Sequence, residues 1–331
     1  MHPAGIQNTL GDCCEFSSPE HSKRSHQSRQ CGLIGRTRRT CLAGALIAFL
    51  PTSSRPALAR TLVVGGKYFT EQLLMAEMTS QLLTAKGFQI EARAGFDTNA
   101  LRQAQEAGRI DLYWEYTGTS LRRFNKVTEQ LTPAETYNRV KQLDAHKGLV
   151  WLEPSRVNNT YALAMRRADA TAKGINTISG LAAKVLQGER LAFASTSEFL
   201  ERSDGLRPLE QAYGFEFARS HVVRVDIDLI YQMLRNLAFI DVGLVFATDG
   251  RVPAYDLLVL KDDREFFPDY SMAPVVRWES LQLHPELTVH LERLAAVLDN
   301  ETMARLNRMV DIDRVPTREV ASEYLRSNGL I

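Results

Sequence analysis

The sequence predicts an α/β protein folded as two lobes, with a ligand cleft between them. Strand-like and helix-like segments alternate from residue 61 to residue 277, the pattern of parallel sheets covered by helices on both faces. That stretch is long for one sheet, so two lobes are the natural division. No Pro-, Gly- or Ser-rich linker separates them. The chain is therefore expected to cross between lobes twice, with 60–155 and 256–331 forming the first lobe and 156–255 the second. A cleft between such lobes is where a ligand would bind.

The elements follow in order. Thr61–Val64 is an apolar run that ends at Gly65-Gly66 and reads as a buried strand. Between Thr70 and Lys86, Leu74, Met78 and Leu82 recur on one helical face, and Gly87 stands where a helix would stop. Gln89–Ala94 alternates as a strand, Asn99–Ala107 reads as a helix ended by Gly108, and Ile110–Tyr116 is strand-like again. Pro133–Lys147 is a charged helix with proline in its first turn. Strands at Val150–Leu152 and Tyr161–Met165 precede a helix at Thr177–Gln187, a strand at Leu191–Ala194, a helix at Leu206–Tyr213 and a strand at Val222–Val225. Leu229–Asn236 reads as a helix, and Val242–Ala247, Leu257–Leu260 and Ala273–Arg277 as strands. Three helices close the chain, Pro285–Leu298, Glu301–Val310 and Thr317–Ser327, and return to the first lobe.

The first 59 residues are expected to stand outside this fold. Residues 1–35 lack apolar periodicity and read as an extension or a mis-called start. In 36–59 a basic patch (Arg36, Arg38, Arg39) precedes the apolar run Leu42–Leu50, then Pro51 and the small-x-small site Ala57-Leu58-Ala59. That is the three-part pattern of a cleaved secretory signal, and the apolar run is too short to span a bilayer. Thr37–Leu42 loosely resembles a twin-arginine signal; general secretion fits at least as well. No cysteine follows the apolar run, so a lipid anchor is not expected.

Removing residues 1–59 from the 331 leaves 272 and changes the arithmetic. The leader holds seven Lys/Arg and three Asp/Glu, so a chain of formal charge +1 becomes a mature protein of charge −3. No basic block remains to neutralise phosphates, which argues against nucleic acid as a partner. All four cysteines (Cys13, Cys14, Cys31, Cys41) lie in the leader, which excludes thiol catalysis and cysteine metal sites from the mature chain. Its four histidines, His146, His221, His284 and His290, show no metal-ligand spacing. There is no G-x-S-x-G elbow, P-loop or G-x-G-x-x-G. An enzyme is not expected, nor a cofactor or a metal.

Several stretches, in this order, are distinctive. They are Gly66-Lys67-Tyr68-Phe69-Thr70-Glu71-Gln72, Asp111-Leu-Tyr-Trp-Glu-Tyr-Thr-Gly-Thr119, Asn158-Asn159-Thr160-Tyr161-Ala162-Leu163 and Glu198-Phe199-Leu200-Glu201-Arg202-Ser203-Asp204-Gly205. Ala247-Thr248-Asp249-Gly250-Arg251 and Phe266-Phe267-Pro268-Asp269-Tyr270, leading into Ala273-Pro274-Val275-Val276, complete the set. Together they resemble the substrate-binding proteins of osmoprotectant ABC importers, which capture glycine betaine, choline and related quaternary amines. The resemblance spans residues 61–331. It implies a two-lobed periplasmic-binding-protein fold of type II, an exported monomer, and delivery of a small osmolyte to an ABC permease and its ATPase.

By motif position the resemblance assigns an aromatic cage to Tyr116, Tyr161, Phe246 and Tyr270, and carboxylate contacts to Lys67, Thr119 and Arg202. The chemistry suits such a ligand. A quaternary ammonium has no N–H to donate, so aromatic faces must hold it, each contributing about 0.5–1 kcal/mol when exposed and about 2 kcal/mol when desolvated. A carboxylate at the other end needs cationic or N–H donors. Phe246 stands where the family usually has Tyr; it keeps the π face but loses the hydroxyl. Lys67 and Arg202 together favour a zwitterion, so glycine betaine is expected to bind better than choline. The alternatives are a different small ligand or an enzyme on the same two-lobed fold. The tetrapyrrole deaminase with this fold needs a cysteine the mature chain lacks.

Overall fold

The computed structural model describes residues 61–236 and 239–331. The leader expected at 1–35 and 36–59 lies outside them. Among the described residues, ten strands form two five-stranded sheets. They are β1 (Leu62–Lys67), β2 (Ile90–Phe96), β3 (Leu112–Tyr116), β4 (Leu149–Trp151), β5 (Tyr161–Arg166), β6 (Phe193–Ser195), β7 (Val222–Arg224), β8 (Val242–Phe246), β9 (Leu257–Val259) and β10 (Met272–Arg277). The orders are β2-β1-β3-β10-β4 and β7-β6-β8-β5-β9, one sheet to each lobe.

The sheets are mixed rather than wholly parallel as the alternation suggested. β1 pairs in parallel with β2 and β3, and β6 with β7 and β8, but β10 and β5 run antiparallel to their neighbours. The reason is the crossing itself. β5 is the first strand after the chain enters the second lobe and β10 the first after it returns, so each enters from the end at which its parallel neighbours finish. Hydrophobic periodicity marks a strand but not its direction. The return also comes later than residue 256, because β9 pairs with β5 in the second sheet.

The two crossing segments are hydrogen-bonded to each other. Asn158 bridges Ser271, Met272 N–H donates to the Val157 carbonyl at 2.9 Å, and Asn159 N–H donates to the Tyr270 carbonyl at 3.2 Å. The C-terminal helices Asn300–Asp311 and Thr317–Ser327 pack on the long helix Thr70–Ala85 of the first lobe. Helix Asn300–Asp311 also reaches the second: a Cβ at Gly250 would lie 2.6 Å from both the Ala304 carbonyl oxygen and the Arg308 Cβ. One apolar core accordingly runs from Leu74, Met78 and Trp114 through Tyr161 and Phe193 to Met303 and Tyr324.

Local signals act as the sequence suggests. Thr132 and Glu135 form a capping box ahead of Pro133, and Gly87 is left-handed at φ 92° just past Ala85. No described helix is long and apolar enough to cross a membrane.

Candidate ligand cleft between the lobes

The site lies where the crossing segments and the strand ends meet. Lys67 and Tyr116 are the last residues of β1 and β3, Thr119 lies in the turn after β3, and Tyr270 in the returning crossover just before β10. Tyr161 opens β5 directly across from Phe246, the last residue of β8. Such cross-strand partners bring their side chains together.

Five aromatic rings follow one another around the cleft. Ring centroids are 6.3 Å apart for Tyr116 and Phe69, 5.3 Å for Phe69 and Phe246, 5.5 Å for Phe246 and Tyr161, and 5.4 Å for Tyr161 and Tyr270. The four rings expected from the sequence are all present. Phe69 is a fifth that sequence reasoning missed. It is the residue before helix Thr70–Ala85, and its extended backbone (φ −93°, ψ 157°) precedes the helix in the manner of an N-cap.

Six of the seven expected residues line this cavity: Lys67, Tyr116, Thr119, Tyr161, Phe246 and Tyr270. Thr98, Asn159, Thr196 and Glu198 join them. Arg202 does not reach the wall. Its guanidinium lies 5.2 Å from the Tyr161 ring and 5.8 Å from that of Tyr270, and it donates to Asp204 at 2.7 and 2.8 Å, to Glu198 at 3.2 Å and to the Tyr270 hydroxyl at 3.0 Å. Lys67 is likewise committed, with its Nζ 2.6 Å from Glu115 and 4.9 Å from the Tyr116 ring. Both cations are thus already paired with carboxylates.

Burial pushes the hydroxyls of Tyr116, Tyr161 and Tyr270 well above the ordinary phenol range, so the cage rings stay neutral. Tyr68 at the mouth is pushed up to about 12, by burial first and then by Glu198, Asp226, Asp228 and Asp97 around it.

The cavity is narrow, about 30 Å³, little more than one water's share of liquid volume. A trimethylammonium group needs the rings of the two lobes to part. Across the gap Thr98 Oγ1 of the first lobe donates to Glu198 of the second at 3.0 Å. A larger, more open groove of about 900 Å³ lies between residues 130–133 and 259–269. Its lining is mostly loop residues with few ring faces, so the ring-lined cleft is the better ligand site.

Two sheet-bearing lobes joined by a double crossover, with an aromatic cleft at the junction, define a two-lobed ligand-binding protein. Residues 60–327 match the family model described as the substrate binding domain of ABC-type glycine betaine transport systems, and the chain belongs to that family. The glycine-betaine-binding protein of Pseudomonas aeruginosa is 43% identical over 281 residues, covering 83% of this chain and 90% of that one. The permease/ergothioneine-binding protein EgtU of Helicobacter pylori is 34% identical over 274 residues, 82% of this chain and 48% of that one. Among solved structures, the apo form of YehZ from Escherichia coli has a TM-score of 0.62 at 29% identity, covering 82% of this chain and all of that one. A glycine betaine/carnitine/choline ABC transporter structure has a TM-score of 0.68 at 26% identity, covering 81% and 99%.

Proposed function

We propose that this protein captures a betaine-type quaternary ammonium osmolyte, glycine betaine ahead of choline, and hands it to an ABC permease driven by its ATPase. The observation that carries this is the arc of five aromatic rings at the interlobe cleft. Tyr116, Phe69, Phe246, Tyr161 and Tyr270 would surround the methylated nitrogen. Thr119 and Lys67 would meet the carboxylate, with Arg202 holding Tyr270 and Tyr161 from behind and reaching the ligand only by releasing Glu198. The glycine-betaine-binding protein of Pseudomonas aeruginosa supports the glycine betaine assignment, and the permease/binding protein of Helicobacter pylori supports the partner. The lobes would part to admit ligand and close on it. We place the mature protein in the periplasm as a monomer without a lipid anchor, exported by residues 36–59. N-terminal sequencing of the secreted form should begin near Arg60; retention of the apolar run would contradict this.

A second reading is a cation without a carboxylate, of choline type. It is favoured by the pairing of Lys67 with Glu115 and of Arg202 with Asp204 and Glu198, which leaves little positive charge for a carboxylate. Calorimetry against glycine betaine, choline, carnitine and ectoine decides. Tighter binding of glycine betaine supports the first reading, tighter choline the second, and no binding of any removes the osmolyte assignment.

A further inference from the structure

Beneath the cage lies a carboxylate that the recognition scheme above does not use. Glu71, in the first turn of helix Thr70–Ala85, is buried, with 2% of its surface exposed. Its Oε1 accepts from the Tyr116 hydroxyl at 2.7 Å and from Asn159 Nδ2 at 3.0 Å; its Oε2 accepts from the Thr248 hydroxyl and from Asn307 Nδ2 at 3.3 Å. All four donors are neutral, and among the described residues no Lys, Arg or His forms an ion pair with it. The contrast with its counterparts is sharp. Glu115 is balanced by Lys67, and Asp204, which accepts the Tyr270 hydroxyl, is balanced by Arg202.

Burial pushes the Glu71 carboxyl above the ordinary carboxylate range, and its four hydrogen bonds pull it part of the way back. As a carboxylate it is an unpaired charge in a site of low polarity, costly unless something offsets it. The four hydrogen bonds offset part of that cost. The Lys67 ammonium already lies 4.9 Å from the Tyr116 ring but is paired with Glu115. A ligand cation against that ring would offset more, because it would be attracted both to the carboxylate behind the ring and to a π face enriched by a phenol donating to an anion. The four donors come from β3, the outgoing crossover, the segment after β8 and helix Asn300–Asp311. The carboxylate is therefore held by both lobes at once.

We propose that Glu71 is a positioning residue that sets charge selectivity in the cleft: through Tyr116 it makes the cage prefer a cationic head over a neutral head of the same shape. This rests on the ring-lined cleft being the ligand site and goes beyond it, since the rings alone would also hold a neutral tert-butyl group by burial.

The test uses the full protein and two probes of one shape, glycine betaine and its carbon isostere 3,3-dimethylbutanoate, each titrated calorimetrically. Wild-type protein should prefer glycine betaine. In Glu71→Gln, which keeps size and most hydrogen bonding, the affinity ratio should fall by about tenfold, while the isostere binds within about twofold of its wild-type affinity. Tyr116→Phe keeps the ring but cuts its link to the carboxylate, should lower the ratio in the same direction, and decides the matter if Glu71→Gln does not fold. Equal weakening of both probes, or an unchanged ratio, would mean a merely structural Glu71 and overturns this inference alone. A wild-type protein that does not distinguish the probes overturns both it and the proposed function.

Discussion

Phe69 shows how a cleft residue can stay hidden in a sequence. It stands between a strand and a helix, where periodicity assigns it to neither, and whether its ring turns to solvent or to the cleft depends on the backbone of that single residue. Its ring sits between Tyr116 and Phe246 and links the rings of the two lobes. Phe69→Leu should therefore weaken glycine betaine by roughly tenfold, the worth of one largely desolvated cation–π contact, with thermal stability nearly unchanged; equal affinity would remove Phe69 from the cage. The other four rings were named because each lies within a recognisable motif, three of them at strand ends and Tyr270 in the returning crossover. Arg202 was legible as a buried cation near the site but not as a committed one. Nothing in Arg202-Ser203-Asp204 says that the guanidinium folds back on the carboxylate two residues later, as it does here at 2.7 Å. Charge in a sequence carries no information about its partner.

The longer helices were legible to within a residue or two, because caps and glycines mark where they start and stop, whereas the first strand runs on to Lys67, three residues past its expected end. Helices Leu206–Tyr213 and Thr317–Ser327 match the expected bounds. The short helices Arg167–Lys173, Ser197–Glu201 and Trp278–Leu283 were missed, being too brief to show a period. Two element-scale consequences can be measured. Gly118 packs beneath the returning crossover, where a Cβ would lie 2.6 Å from the Asp269 carbonyl oxygen and 2.8 Å from the Tyr270 ring. Gly118→Ala should displace Tyr270 and lower both ligand affinity and melting temperature; crystallographic or NMR evidence of an unmoved Tyr270 would contradict that packing. In the first lobe Asp144 binds four elements together. It accepts from Arg102 at 2.9 and 2.6 Å, from Ser120 at 2.7 Å, from Asn125 at 3.0 Å and from the Trp151 indole at 2.9 Å.

Burial alone would raise the Asp144 pKa, but Arg102 and the neutral donors outweigh it and hold the group at about 2, below its ordinary 3.8. A depressed carboxylate stabilises the fold fully above its unfolded pKa and loses that contribution as pH falls through the folded one. Here that means roughly 2 kcal/mol lost between about pH 4 and pH 2. Asp144→Asn leaves the buried Arg102 with only the half-exposed Glu106 as counter-charge, 2.6 Å away, and should cost about 3 kcal/mol at neutral pH, with ligand affinity preserved in whatever folds. Denaturant unfolding across that pH range checks both statements, and a variant as stable as wild type would sink them.

At the scale of the molecule, two lobes, a double crossover and a shared core bring rings from both lobes to one cleft. Tyr116 and Phe69 come from the first lobe, Tyr161 and Phe246 from the second, and Tyr270 from the crossover between them. The lobes were readable from the alternation of elements; the antiparallel crossover strands and the return beyond Val259 were not, because both depend on long-range pairing. Across the mouth Thr98 donates to Glu198, and in the proposed clamp this bond would help hold the lobes shut. Thr98→Val keeps the shape and removes the donor. It should speed ligand release in stopped-flow measurements and lower affinity by about 1 kcal/mol or less, whereas an unchanged release rate would mean that this bond plays no part in holding the lobes shut. The central claim, that the ring-lined cleft captures a quaternary ammonium, is tested most directly by calorimetric titration of the purified protein with glycine betaine beside its Tyr161→Ala variant. The account predicts one saturable site per chain, weakened roughly tenfold or more in the variant. Absence of binding by any quaternary ammonium ligand, or a Tyr161→Ala protein that binds as tightly as wild type, would contradict it.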